Sequence, residues 1–367
     1  MIAAIPSPVG FMASIASFED WMRARLGPLI VEADLRAKHR RMRKDAFLFL
    51  RGTCWRWAEI AGFAAPDLND GPMVASIGDA HAGNFGLWRD AEGRLVWGAN
   101  DFDEAAIIPY RMDLARLVTS ATLARKERDP GDGIAEAALD GYAAGLSDPR
   151  PYVLEQDHAW LRDMFSASDR ERDAFWMKLR GTKSARHVPD AYHATLLSSL
   201  PPTSQPVTLL RRRAGVGSLG RPRIVALTDD VGGPIAREAK ALLPSCWNRG
   251  APIGEQLGLA TGRYRCPDPF LRLDNGIVVR RLAPNSRKID IGGHGKRIRR
   301  RLIAAMARDI GAIHAADDQA APAILDHLRG QTHSWLSRAS AAMTEATARD
   351  WQDFRDGTHA HGDRATP

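Results

Sequence analysis

The sequence has little of several features that mark specialised protein classes. Its 367 residues include three cysteines, Cys54, Cys246 and Cys266, and their spacing matches neither a zinc site nor a paired disulfide framework. No uninterrupted apolar stretch approaches the length that crosses a bilayer, so no transmembrane helix is predicted. The apolar start, residues 1–17, lacks a basic leading segment and is interrupted by prolines. A signal peptide is therefore not predicted, and we expect a cytoplasmic protein.

The charge balance is basic, and its excess is concentrated in three runs. The net charge is +7, with 44% hydrophobic and 26% charged residues, a composition typical of a soluble globular protein that favours anionic partners. The runs span residues 38–44, 211–213 and 296–301. Because no aromatic residues are interleaved with these charges, we interpret them as solvated helix faces with a few phosphate-facing arginines. Nucleic acid is the less favoured partner, since nucleotide phosphates would also account for part of the excess.

Hydrophobic periodicity indicates a mostly helical first half and a strand-rich segment later in the chain. Helical spacing is found in residues 18–62, 113–128, 133–146, 160–179 and 299–315. Short apolar runs bounded by turn residues predict strands at residues 73–77, 94–97, 207–210, 223–227 and 276–282. The Ser-, Thr- and Pro-rich stretch 189–206 is predicted to be an interdomain linker.

Two acidic loops follow neighbouring strands in the first third of the chain. The first is GDAHAGN, residues 78–84, and the second is NDFDE, residues 100–104. Phosphoryl transfer needs a carboxylate that orients or deprotonates the acceptor, and an Asn and an Asp that hold a divalent metal against the nucleotide phosphates. Asp79, Asn84 and Asp101 supply these three groups.

The spacing of these groups resembles that of protein kinases. Asp79 precedes Asn84 by five residues, as the catalytic Asp precedes the metal-binding Asn in kinases, and Asp101 opens a DF motif. GDAHAGN also resembles the GDLHPGN loop of aminoglycoside and choline phosphotransferases, which implies that His81 belongs to a catalytic loop. In those enzymes an Asp on the following helix anchors the loop, and Asp113 matches its position, although an ordinary helix N-cap would explain the same residue.

A glycine-rich loop and a phosphate-binding cation complete a kinase, and the first 77 residues show neither. A GxGxxG pattern occurs later, between two predicted strands, where backbone N–H groups can approach phosphates, although a hairpin turn explains it equally well. Its candidate nucleotide-binding residues are Gly215, Gly217, Ser218 and Gly220. Arg237 or Lys240 would supply the cation. Residues 310–315 resemble the helix that precedes the catalytic loop in the phosphotransferases, so the parts occur in rotated order.

The predicted fold is therefore α+β, a protein-kinase-like two-lobe fold in circularly permuted order. It has a mainly helical catalytic lobe and a small β-rich nucleotide lobe. The expected divisions are N-terminal helices with the catalytic loop in 1–200, the β-rich lobe in 201–290, returning helices in 291–355 and a disordered tail in 356–367.

The whole chain, from about residue 36 to 316, also resembles a bacterial family known as domain of unknown function 2252 (DUF2252). The matching segments are FLFLRG, GDAHAGNFG, NDFDEA, DLARLVTS, AGVGSLGRPR, REAKALLPS, VVRRLAP and IGAIHA. The resemblance implies membership and assigns no activity. Relatives place lysine first in a KEA segment, where this chain has Arg237 and offers Lys240 three positions later.

The expected function is ATP-dependent phosphoryl transfer to an unknown acceptor. Asp79 and His81 are the catalytic candidates, Asn84, Asp101 and Asp103 would bind Mg²⁺, and Asp103 is equally well explained as a surface acid. Three alternatives stay open: a nucleotide-binding pseudokinase without turnover, an adenylyl transferase, and a two-metal phosphoesterase suggested by the DxH sequence at Asp79. Basic residues of the VVRRLAP region, Arg280, Arg281 and Lys288, are interpreted as a solvated strand edge rather than as contacts to an anionic substrate.

Overall fold

Helices at both ends of the chain surround three antiparallel sheets. The computed structural model describes residues 8–125, 133–155, 157–202, 206–251, 255–285, 291, 293–332 and 334–362. The helices are α1 (Phe11–Leu26), α2 (Glu32–Met42), α3 (Ala46–Gly52), α4 (Cys54–Ala64), α5 (Arg111–Leu123), α6 (Ile134–Ser147), α7 (Ala159–Phe165), α8 (Asp169–Arg180), α9 (Asp190–Leu197), α10 (Glu255–Ala260), α11 (Lys296–His314), α12 (Ala320–Arg329) and α13 (Trp335–Gly362). The strands are β1 (Met73–Ser76), β2 (Phe85–Arg89), β3 (Leu95–Ala99), β4 (Ala106–Pro109), β5 (Tyr152–Val153), β6 (Val207–Arg211), β7 (Arg223–Asp230), β8 (Gly233–Ala241), β9 (Arg272–Asp274) and β10 (Ile277–Arg281).

This mixture of helices and antiparallel sheets confirms the coarse part of the fold prediction, an α+β class. Within the described ranges, no helix combines the length and the apolar character needed to cross a membrane.

The N-terminal helices pack around a cluster of aromatic rings. Phe11 and Phe18 of α1 stack on Trp55 of α4 at centroid distances of 5.7 and 4.9 Å. Phe354 of α13 packs against Phe11 and Phe49 at 5.6 and 5.9 Å. Burial of each such ring contributes roughly 2–3 kcal/mol to the stability of the fold, so these contacts hold α13 against the N-terminal helices. The sequence predicted a disordered tail from residue 356, but α13 continues to Gly362. Residues 363–367 lie outside the described residues.

Two small sheets hold the polar loops of the first third. β1 pairs with β4, whereas β2 forms a hairpin with β3 that β5 extends. The Asp90 side chain closes the hairpin turn by accepting the N–H groups of Glu92 and Arg94. The sequence predicted β1 and β3 with a loop between them, so it missed β2 and β4. Each acidic loop therefore lies at the end of a strand in a different sheet.

Helices α5, α6 and α11 support these sheets from below. Asp309 of α11 accepts the backbone N–H of Ala99 at 2.8 Å and pairs with Arg265 at 2.9 Å, so it holds the end of β3 in place. Gly145 of α6 lies so close to α11 that a Cβ would stand 2.1 Å from the carbonyl oxygen of Arg308. The two helices thus cross at a distance that only a glycine permits.

A third sheet contains five described strands in the order β6-β7-β8-β10-β9, all antiparallel. Side chains alternate between the faces of a strand. The registers pair Arg223 with Lys240 and Glu238 with Arg280, so these charged residues share one face. The opposite face carries Ala239 and other small or apolar residues. β10 is an interior strand, so its charged residues are not a solvated sheet edge, as the sequence had suggested.

The predicted linker 189–206 is wrong in its first half. Residues 190–197 form α9, whose buried Tyr192 and Leu196 belong to the same core as Ile224 and Val279 of the third sheet. The Ser, Thr and Pro content misled the prediction because only a few large apolar residues of the segment, Tyr192, Leu196 and Leu200, are buried. The structure describes neither residues 203–205 nor Lys288.

Candidate functional site

The loop after β1 is fixed by Asp113, the third residue of α5. Its carboxylate accepts the N–H groups of Ile77 at 2.7 Å and Gly78 at 3.0 Å, and His314 of α11 lies 3.3 Å away. The His314 ring is fixed in turn by the Tyr142 hydroxyl at 2.8 Å. Gly78 has φ +76°, and a Cβ there would meet the Glu104 carbonyl oxygen at 1.8 Å. These contacts fix the position of the loop relative to α5. An Asp113 that anchors the loop would make contacts of this kind.

Asp79 follows in this loop and is held by a buried arginine. Nε of Arg116 donates to Oδ1 of Asp79 at 2.5 Å, and Arg116 is 1% exposed. Burial raises the pKa of Asp79, and the neighbouring Arg116 charge opposes that rise. Nε2 of His81 lies 3.8 Å from the other Asp79 oxygen. The carboxylate is thus oriented by a cation through one oxygen, while the other oxygen has His81 as its neighbour.

Asn84 joins the two acidic loops through its amide group. Its Nδ2 donates to the backbone carbonyls of Asp79 at 3.1 Å and Asp101 at 2.8 Å. These two bonds determine the orientation of the amide, and they leave Oδ1 buried with no hydrogen-bond partner in the described part of the chain. A buried acceptor without a partner is costly. An oxygen of this kind suits a hard cation such as Mg²⁺.

Asp101 and Asp103 share the ammonium of Lys240, which reaches them from β8. Lys240 Nζ lies 2.6 Å from Oδ2 of Asp103 and 3.5 Å from Oδ1 of Asp101. Arg221 pairs with the other side of this loop, at 2.9 Å from Asp103 and 3.1 Å from Glu104. Ion pairs between the two halves of the chain therefore hold the second acidic loop against the third sheet.

A crevice lies between these loops and the glycine-rich hairpin that connects β6 to β7. Its lining residues are Arg51, Asp79, His81, Asn84, Asp101, Asp103, Glu104, Gly215, Val216, Gly217, Ser218 and Arg221. The structure thus brings the catalytic and metal-binding candidates together with Gly215, Gly217 and Ser218. Gly220 is not among these lining residues and packs on Leu35 of α2 instead.

Arg237 lies on the opposite face of the third sheet. Its guanidinium stacks 3.6 Å from the Phe270 ring centre and donates to the Ser199 carbonyl at 3.2 Å. Lys240 is three residues later, so the alternation of β8 turns it to the crevice and turns Arg237 away. Of the two cations that the sequence offered, Lys240 is the one that contacts Asp101 and Asp103, two of the residues that line the crevice.

A larger cavity of about 330 Å³ adjoins the crevice, and we call it the arginine chamber. It shares Arg51, Asp101 and Gly215 with the crevice. Apolar side chains from both halves of the chain line part of its wall: Leu87, Trp88, Phe102, Leu271 and Leu282. Its volume is in the range of small-molecule sites.

Both acidic loops and helix α5 lie in a segment that matches a family model. Residues 30–149 match the model of a family described as uncharacterized protein conserved in bacteria (DUF2252). The match includes Asp79, Asn84, Asp101 and Asp113 and ends before the glycine-rich hairpin. No curated protein and no solved structure matches the chain.

Sequence reasoning missed three arginines of the site. Arg116 follows Asp113 by one helical turn on α5, so the helix that anchors the loop also carries the partner of Asp79. Arg51 is the last residue but one of the FLFLRG segment on α3 and lies near Gly83 of the first loop. Arg221 directly follows the glycine-rich pattern. The helical spacing of Arg116 from Asp113 was the one signal that could have revealed such a residue; the other two depend on contacts between distant segments.

Proposed function

We propose that the chain is an ATP-dependent phosphotransferase of the protein-kinase-like type, encoded in circularly permuted order, that uses Mg²⁺ and an acceptor still to be identified. The observation that carries the proposal is the crevice in which Asp79, Asn84 and Asp101 face the glycine-rich hairpin. Phosphoryl transfer is catalysed mainly by positioning and charge stabilisation. This crevice supplies a carboxylate, metal-type oxygens, a cation and a backbone-lined cover within one space.

The oxygens of Asn84 and Asp101 fit Mg²⁺. Bound there, Mg²⁺ would neutralise charge on the nucleotide phosphates. Mg²⁺ is usually held by one or two carboxylates, waters and substrate phosphates, so the few oxygens offered here could bind it together with the nucleotide. Asp103 is paired with Lys240 and Arg221, so it would contact a second metal only after exchanging a partner.

Lys240 would act as the phosphate-binding lysine. In protein kinases this lysine is on the third strand, after the hairpin that carries the glycine-rich loop. Here β6 and β7 flank the hairpin and β8 carries Lys240. Its ammonium already lies beside Asp101, where it would neutralise a phosphate oxygen. In protein kinases the corresponding sheet precedes the catalytic loop in the sequence. Here the third sheet follows the acidic loops, so the proposal requires a circularly permuted order.

Asp79 would act on the acceptor. Its carboxylate accepts the hydroxyl proton of the acceptor while the acceptor oxygen bonds to the terminal phosphorus and the bond from that phosphorus to the ADP oxygen breaks. Burial raises the pKa of Asp79, which makes the carboxylate a better proton acceptor. Arg116 holds it in one orientation.

The proposal is tested with labelled ATP, Mg²⁺ and a metabolite extract, with products identified by mass. We expect wild-type protein to add one phosphate to a discrete product. Asp101→Ala should abolish the labelling, and Asp79→Asn should slow it by at least about a hundredfold while nucleotide binding persists. Asp163→Asn, on the exposed side of α7, is the matched control. Equal labelling by the wild type and the Asp101 variant would refute the metal role.

The same experiment separates the alternatives. An adenylyl transferase would add AMP in place of phosphate, and a phosphoesterase would cleave a phosphodiester with metal and no nucleotide. A pseudokinase would bind ATP without any product, and the ion pair of Asp79 with Arg116 is the observation that favours it, since a carboxylate held by a cation is a weaker base.

A further inference from the structure

The charges around the arginine chamber do not balance within the described residues. Six arginines line it: Arg51, Arg212, Arg223, Arg265, Arg280 and Arg281. Two carboxylates, Asp101 and Asp268, also line it. Two more, Glu238 and Asp309, pair with lining arginines. Asp101 is shared with Lys240 as well. At least two positive charges are therefore in excess at one cavity.

Most of that excess surrounds Glu238. Its buried carboxylate is bonded to Arg212, to Arg223 at 2.5 Å and to Arg280 at 2.7 Å. One carboxylate compensates one of the three guanidinium groups. Arg223 is 6% exposed, so water screens it little, and a buried cation without a counter-charge is costly. The cluster therefore has more positive than negative charge, and an anionic ligand could supply the missing negative charge.

The cluster also determines the character of the wall beside the crevice. Glu238 and Arg280 lie on the same face of the third sheet as Lys240, one alternation away along the strands. An apolar slot for a flat base would need small or apolar side chains at these positions. The wall instead offers guanidinium groups, which bind phosphate and carboxylate in a bidentate manner.

Arg51 connects the chamber with the crevice. It lines both, and its Nε is buried without a hydrogen-bond partner in the ranges that the structure describes. Its guanidinium lies over the Phe47 ring at 5.5 Å. An anion in the chamber and a phosphate in the crevice would therefore both lie near the Arg51 side chain.

We infer that the arginine chamber is an anion-binding site that takes phosphate or carboxylate groups of a small molecule on Arg212, Arg223 and Arg280. The apolar wall formed by Leu87, Trp88 and Leu271 would contact the carbon skeleton of that molecule. The anion is either part of the nucleotide or part of a phosphorylated or carboxylated acceptor. This site follows from the charges of the chamber and does not depend on whether phosphoryl transfer takes place.

Isothermal titration calorimetry on the full chain without metal tests the inference, with inorganic tripolyphosphate as the anionic probe and adenosine as the uncharged one. We expect tripolyphosphate to bind, with an affinity that falls as salt is raised, and adenosine to bind at least tenfold more weakly. Adenosine that binds as tightly as tripolyphosphate would overturn the inference. So would the absence of any tripolyphosphate binding to the wild type.

Arg280→Gln locates the site. Losing one charge-assisted contact should weaken tripolyphosphate binding by about tenfold to a hundredfold, and Arg280→Lys should recover part of it. Arg180→Gln, an exposed arginine paired with Asp229, is the matched control and should bind as wild type does. Equal affinity in all three variants would overturn the inference. Arg212→Gln gives the same comparison if the Arg280 variants do not fold, as judged by their melting temperatures.

Competition identifies the source of the anion. If saturating ATP with Mg²⁺ displaces tripolyphosphate, the nucleotide phosphates extend from the crevice into the chamber; if both bind together, the anion belongs to the acceptor. Both results support an anion site. A failed transfer reaction with intact tripolyphosphate binding would count against the proposed function alone, whereas active transfer with no dependence on Arg280 would count against the chamber alone.

Discussion

At the scale of single residues, Lys38 is a buried cation whose ammonium contacts a backbone carbonyl. Lys38 belongs to the basic run 38–44, which its composition marks as solvated, yet the side chain is 2% exposed. Its Nζ lies 3.4 Å from the Gly217 carbonyl of the glycine-rich hairpin and 5.4 Å from the Phe18 ring centre. Burial lowers the pKa of Lys38 to about 8, although Glu19 opposes the shift. The folded protein therefore disfavours its charged form.

Lys38→Met should stabilise the fold in a pH-dependent way. A folded pKa of about 8 against 10.5 in the unfolded chain means that the cost of the charge is fully present below the folded pKa and disappears as the pH rises towards the unfolded one. We expect a gain of about 2–3 kcal/mol at about pH 7 that is mostly lost at about pH 10. Urea unfolding at both values measures it. Lys178→Met, on the exposed side of α8, should show no such dependence; a variant less stable than wild type at the lower pH would contradict the argument.

At the scale of elements, close helix contact below the acidic loops sets the position of α11, and α11 holds β3. Gly141 and Gly145 of α6 are the closest points of contact, because a Cβ at either residue would stand 2.1 Å from a carbonyl oxygen of α11. A shift of α11 would move Asp309 away from Ala99 and so displace Asp101, two residues further along the chain. The geometry of the crevice thus depends on the contact between α6 and α11, although neither helix contributes a residue to the crevice.

Gly145→Ala tests this dependence. An added methyl group 2.1 Å from the Arg308 carbonyl oxygen forces the helices apart, so we expect a loss of at least about 2 kcal/mol together with weaker binding of ATP with Mg²⁺. Gly258→Ala on α10 is the matched control, because nothing lies within 4 Å of its added Cβ. There the better helix propensity of Ala should stabilise the protein by up to about 1 kcal/mol. Denaturant unfolding and calorimetry would contradict the argument if both variants behaved alike.

At the scale of the whole molecule, the third sheet depends on segments from both ends of the sequence. Its apolar face shares a core with α9 and with α1, α3 and α4. Its charged face is neutralised in part by Asp103 and Glu104 of the second acidic loop. The third sheet therefore shares its core with the rest of the chain, and we expect that it does not fold independently.

Residues 201–290 expressed alone should not fold cooperatively. Ile224, Ala239 and Val279 would lose their cover, and Lys240 and Arg221 would lose their counter-charges. Exposed apolar area and unpaired charge both oppose the folded state. Circular dichroism during heating should show no sigmoidal transition for this segment, and the full chain should show one. A cooperative transition in the isolated segment would contradict this view of the lobe.

The features that the sequence predicted well are local. Asp79 and Asn84 lie five residues apart in one loop, and the strands predicted at residues 207–210 and 223–227 correspond to β6 and β7. β8 was missed because its residues include Ala, Arg, Glu and Lys, which are ordinary helix formers. Without that strand, the sequence could not decide between Arg237 and Lys240.

The sequence by itself determined the acidic loops, the glycine-rich hairpin and the helical character of both ends, because spacing along the chain specifies each of them. Only the tertiary structure decided which cation faces the crevice, which arginine holds Asp79 and where positive charge accumulates. The reason is physical: the face of a strand residue follows from its pairing register, and an ion pair requires two segments that meet only after the chain has folded.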